Sequence, residues 1–189
     1  MHTLMRRLAL GAVVAIALVP ATSARAQDTF DASTAAHVKN AYKADLDSVH
    51  KKVMALANAI PADKYSWKPA EGVRTISEAL MHIANEYYVY VPMSVGGNPP
   101  ADFGNPREVM PKNEKITAKA DVIAQLEKAW AHTQAQMAAA DASKMTGKYG
   151  RFGMTIDDAG FVMTGDLHEH LGQLIAYARS VGVKPPWTK

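Results

Sequence analysis

Four stretches of this chain repeat their apolar residues at three- and four-residue steps, and few stretches alternate apolar with polar. That spacing lines apolar side chains along one face of an α-helix, so it predicts an all-α fold. Segment A runs from about Ala32 to Ile60, with Tyr42, Leu46, Val49, Val53, Leu56, Ala57 and Ile60 in its stripe, and Pro61 closes it. Segment B opens on Thr75-Ile76-Ser77-Glu78, the pattern of a capping box, carries Ile76, Ala79, Leu80, Ile83, Tyr87 and Tyr90, and meets Pro92 at its end. Segment C runs from about Thr117 to Ala140 on Val122, Leu126, Ala129, Trp130 and Met137. Segment D starts at the Thr155–Asp158 cap and stops at Gly182, ahead of Pro185 and Pro186.

Four antiparallel helices of this length with at least one long crossover loop predict a four-helix bundle with a single core. The crossover is Ser94 to Ile116, between the second and third helices, with Gly96-Gly97 and four prolines. Pro61 to Arg74 carries Tyr65 and Trp67, so it is expected to dock on a bundle end rather than run through solvent. Asp141 to Met154 is Gly-rich and suits a short hairpin. Gly165 and Gly172 are seven residues apart on one face of segment D, which predicts a close helix approach there.

The first 26 residues follow a different logic. Arg6-Arg7 precedes an apolar run from Leu8 to Pro20, and Ala24-Arg25-Ala26 supplies a small-residue cleavage site. This is the order of a secretory signal peptide, and the run is short for a bilayer span. Residues 1–26 are therefore expected to be removed, leaving residues 27–189 as one exported domain, periplasmic or secreted, with no membrane attachment. The whole chain has no Cys, so neither a disulfide nor a lipid-anchored Cys is available to it. Three of its 21 Lys and Arg, namely Arg6, Arg7 and Arg25, lie in the signal; the remainder carries 18 basic against 18 acidic residues. A neutral body lacks the basic footprint of a nucleic-acid-binding protein.

At about 100° per residue, His170 falls about 60° to one side of the apolar stripe of segment D, Tyr177 about 80° and Asp166 about 100° on the same side. Asp166 and His170 are four apart, so one helix face offers both to a single metal ion. His168 points about 160° away from His170, so the His168-Glu169-His170 run does not chelate through both imidazoles. In segment B, His82 flanks the stripe with Glu86 one turn on, and His50 stands on the core side of segment A. On spacing alone each of these also suits a hydrogen-bonded or solvated residue.

Two stretches carry a family resemblance: Tyr65 to His82 (YSWKPAEGVRTISEALMH) and Asp166 to Trp187 (DLHEHLGQLIAYARSVGVKPPW). In them the chain resembles the DinB-like (DinB/YfiT) superfamily, particularly its exported members. The resemblance implies a four-helix bundle holding a divalent metal, with one His from the second helix and an H-x-x-x-H pair from the last. His82 and His170 occupy two of those positions. Asp166 stands where the first His of the pair is usual, a departure shared with some thiol-dependent isomerases of the superfamily. The implied metal set is His82, Asp166 and His170, suited to Zn²⁺ and also to Ni²⁺ or Fe²⁺. Glu86, Tyr177, Gln173 and His50 are the candidates for support or proton transfer.

Relatives include thiol-dependent transferases and isomerases as well as metal-dependent hydrolases. Two readings follow. One is a metal-dependent enzyme of hydrolase or transferase type acting on a small-molecule substrate. The other is a non-catalytic protein of the cell envelope that binds a metal or a small ligand. Tyr88 and Met81 lie off the stripe of segment B, which makes a homodimer the oligomer to look for.

Overall fold

The structure is a computed structural model and describes residues 30–188 apart from 146, 147 and 150–153. The signal peptide expected over residues 1–26 lies outside the described residues. Four long helices make the body: α1 (Ala32–Ala59), α2 (Ile76–Tyr88), α5 (Lys119–Ala139) and α6 (Ile156–Ser180). Two short helices, α3 (Tyr90–Ser94) and α4 (Pro106–Asn113), lie between α2 and α5, and strands β1 (Lys148–Tyr149) and β2 (Met154–Thr155) pair antiparallel before α6. The long helices pack as a ring in which α1 touches α5 and α6, and α2 touches the same two. This is the expected four-helix bundle. No helix among the described residues is long and apolar enough to cross a membrane.

The helix ends form where local chemistry dictates. The Asp31 carboxylate accepts from the Thr34 amide at 2.7 Å and opens α1. Thr75 and Glu78 make the full capping box of α2: the Thr75 hydroxyl takes the Glu78 amide at 3.2 Å, and the Glu78 carboxylate takes the Thr75 amide at 2.7 Å. Thr155 caps α6 through the Asp158 amide. Gly182, at φ +81°, supplies the left-handed residue that closes α6, with the Val183 amide returning to the Ala178 carbonyl at 2.8 Å. The aromatic loop docks as expected. Tyr65 is buried and donates to the Ala57 carbonyl at 2.7 Å, and Trp67 meets the Tyr177 ring edge-on at 5.4 Å.

Three details differ from the sequence-based expectations. The second helix breaks at Val89 rather than running to Pro92, because Pro92 has no amide for the Tyr88 carbonyl four residues back and its ring crowds that carbonyl. Met81 and Tyr88 are buried rather than exposed. The long connection covers Tyr88: Phe103 lies 5.2 Å from the Tyr88 ring, whose hydroxyl donates to Gln125 on α5 at 3.0 Å. A homodimer therefore loses the residues that suggested it.

The close approach in α6 is at Gly160, where a Cβ would lie 3.3 Å from the Tyr42 ring, and not at Gly165 or Gly172, which face open space. Without a packing reason, those two glycines cost helix stability and give nothing back. Gly172→Ala should raise stability by up to about 1 kcal/mol in urea unfolding, and Gly160→Ala should gain less, because its Cβ meets the Tyr42 ring.

Candidate metal centre

The site lies where α2 passes α6. On α2, His82 and Glu86 are one turn apart; on α6, Asp166, His170, Gln173 and Tyr177 descend one face. The His82 and His170 rings meet edge to face with centroids 4.8 Å apart. Glu86, only 1% exposed, sits between them: its Oε1 is 3.4 Å from His82 Nε2 and 3.5 Å from His170 Nε2. His82, Glu86 and His170 each offer one ligand atom, and these atoms all fall within 4.8 Å of one another. Asp166 stands on the solvent side, its side chain 44% exposed and its Oδ1 3.7 Å from His170 Nε2.

The remote nitrogens fix which lone pairs face inward. His82 Nδ1 lies 2.6 Å from the Glu114 carboxylate, which can only accept when ionised, so Nδ1 carries the hydrogen. His170 Nδ1 lies 3.3 Å from the Gln173 side-chain oxygen, whose amide nitrogen donates to the Tyr177 hydroxyl at 2.9 Å. In this orientation of the amide the Gln173 oxygen faces the ring, and the hydrogen again sits on Nδ1. Both neutral imidazoles then present Nε2 lone pairs to one point. An outer carboxylate or amide that locks a histidine in this way is a recurring partner of metal-binding imidazoles.

The electrostatics ask for a cation at that point. Burial works against ionising Glu86, but hydrogen bonding to His170 and then His82 outweighs it and brings its pKa down to about 2. Both imidazoles are raised, first by Glu86 and against burial. Asp166 is raised by burial and then by the neighbouring Glu86 carboxylate. Glu86 Oε2 is buried without a hydrogen-bond partner among the described residues. The hydrogen bonds from His170 and His82 require both rings to be protonated; with the rings neutral and Nδ1–H locked as described, Glu86 has no hydrogen from either, and a metal ion at the same point would take the protons' place. Two nitrogens and one or two carboxylates suit Zn²⁺ and similar divalent ions.

Glu114 had no sequence signal of its own. It caps the end of α4, 32 residues after His82, inside the long connection between α2 and α5. The signal for α4 was Asn105-Pro106, a helix N-cap followed by proline at the first helical position. The Asn85 side chain clamps α4 onto α2, donating to the Met110 carbonyl at 3.1 Å and accepting from Asn113 at 2.9 Å. Arg74 Nε approaches the other Glu114 oxygen at 3.6 Å. Of the remaining candidates, His168 points away and pairs with Asp45 on α1 at 3.0 Å. His50 lies outside the group, stacked on Trp130 of α5.

A family model described as the DinB superfamily matches residues 45–174, a span that holds His82, Glu86, Glu114, Asp166, His170 and Gln173. No curated protein matches the chain.

Proposed function

The chain belongs to the DinB superfamily, and from that membership and the geometry of its site we propose that it is an exported, divalent-metal-dependent enzyme of hydrolase or transferase type. His82, Glu86 and His170 hold the ion, and Asp166 is the donor on the solvent side, able to give way to a substrate. The observation that carries this reading is the pair of Nε2 atoms, each locked by a partner on Nδ1 and converging on a buried carboxylate. A bound divalent ion, Zn²⁺ first and Ni²⁺ or Fe²⁺ next, supplies Lewis acidity to a small-molecule substrate.

The chain's own residues do the rest. Glu114 and Gln173 hold the two rings in register. Tyr177 accepts the Gln173 amide, which leaves its hydroxyl hydrogen free to donate to a substrate oxygen. Asp166, exposed and raised above the usual Asp range, is placed to take a proton at the mouth.

The test is to prepare the mature protein without a polyhistidine tag, measure its metal content, and screen ester, amide and thiol-transfer substrates with and without a chelator. One equivalent of divalent metal and a chelator-sensitive turnover support the proposal; a metal-free protein that takes up no Zn²⁺ refutes it. Tight metal binding with no turnover favours the alternative, a non-catalytic binding protein of the cell envelope. The near-complete burial of Glu86 favours that second reading.

Glu114 gives a sharper test of the geometry. Glu114→Gln should weaken Zn²⁺ about tenfold by competition with a chromophoric chelator, with helix content unchanged. Equal affinity in the variant would mean that His82 needs no orienting partner.

A further inference from the structure

A groove of about 320 Å³ opens between the N-terminal halves of α1 and α6, and none of its lining residues belongs to the metal centre. Val38, Ala41, Tyr42, Met145 and Phe161 make most of its wall, and Phe161 is left 72% exposed at its edge. The size and apolar lining are those of a small-molecule site.

Its polar groups are one-sided. The Ser94 hydroxyl gives its hydrogen to the Val91 carbonyl at 2.7 Å, so the Tyr42 hydroxyl, 2.7 Å from Ser94 Oγ, must donate to Ser94 and has no hydrogen for the groove. The Thr164 hydroxyl donates to the Phe161 carbonyl. The Asp157 amide is committed to the Met145 carbonyl. What remains is acceptors, apart from the exposed His37. Asp45 takes His168, whereas Asp157 Oδ1 is buried with no partner among the described residues. His37 lines the groove as an exposed residue. A buried acceptor without a donor costs free energy that an occupant bringing an N–H or a cation recovers.

We infer that this groove is a second binding site, distinct from the metal centre, for a small molecule with an apolar body and a cationic amine head that meets Asp157. Its occupant is a primary or secondary amine rather than a carboxylate or phosphate, because the wall presents acceptors and no spare buried donor. The inference does not depend on the metal.

The experiment is an NMR titration of the mature, Zn²⁺-treated protein with n-hexylamine, n-hexanol and n-hexanoate, repeated after chelation. Hexylamine should bind about tenfold more tightly than hexanol, shift the amides around Asp157 and Phe161, and do so with or without metal. Hexanoate should be the weakest. Asp157→Asn should remove the preference for the amine, and Ala41→Phe, a change at an exposed helix position that fills the groove, should abolish binding of all three with the fold intact. Equal binding of the three probes, unchanged binding in Ala41→Phe, or shifts confined to His82 and His170 would each overturn the assignment.

Discussion

Replacing His170 by Ala is expected to abolish the thermal stabilisation that Zn²⁺ confers on the wild-type chain. A bound ion would join α2 to α6, which lie far apart in the sequence, and the unfolded chain cannot hold that geometry. An ion that binds only the folded state stabilises it by about 2.7 kcal/mol at a hundredfold excess over Kd. His170→Ala removes one converging Nε2 and should erase that gain together with any turnover. Glu86→Gln should do nearly as much, because the amide keeps the shape but loses the charge that the two imidazoles surround. Asp166→His should retain the metal, since Asp166 stands on the solvent side and the substitution restores a nitrogen donor. His168→Ala should change nothing at the metal, because its ring pairs with Asp45 instead. Melting curves with and without Zn²⁺ decide the matter. Equal metal stabilisation in His170→Ala and wild type would remove the site, and its loss in His168→Ala would mean the wrong histidine carries it.

The bundle was legible because its signals are local. The stripe of α1, the capping box at Thr75 and the Gly182 stop each involve neighbours within a few residues, and each holds in the structure. Of the site, the pairing of His82 with His170 was legible through helical spacing and family resemblance together. The place of Glu86 between them was not. Periodicity assigns a polar residue to the flank of a stripe, and both flanks of α2 are covered: α4 is clamped over Asn85, and α6 brings His170 against Glu86, so both polar residues are buried. Glu114 was hidden for the same reason: its partner is a turn of α2 that only the folded connection reaches. Gly165 and Gly172 show the converse error. A small residue marks close packing only where a neighbour arrives, and Tyr42 arrives at Gly160.

His50 shows what a buried titratable group does when it is not drawn into the site. Its ring stacks on Trp130 at 4.2 Å between centroids with planes 7° apart, and meets the edge of Tyr87 at 5.6 Å. Its Nδ1 is buried without a partner among the described residues, and burial, opposed by the nearby Asp47, pulls its pKa from 6.5 down to about 4. The folded chain therefore holds His50 neutral where the unfolded chain already binds a proton. Above pH 6.5 both states are neutral and nothing is lost. Between 6.5 and 4 only the unfolded state takes up the proton, so stability falls as pH falls, by about 3 kcal/mol once both pKa values are passed. The raised His82 and His170 work in the opposite sense, adding stability in acid and losing it as pH rises through their folded pKa values. Subtracting a single variant isolates His50 from them. His50→Phe keeps an aromatic ring for Trp130 to stack on and removes the titration. In urea titrations with chelator present, wild type should lose about 2–3 kcal/mol relative to this variant between pH 7.5 and 4.5. Parallel pH profiles for the two proteins would show that His50 is not held neutral in the fold, and that its Nδ1 finds a hydrogen-bond partner in solution.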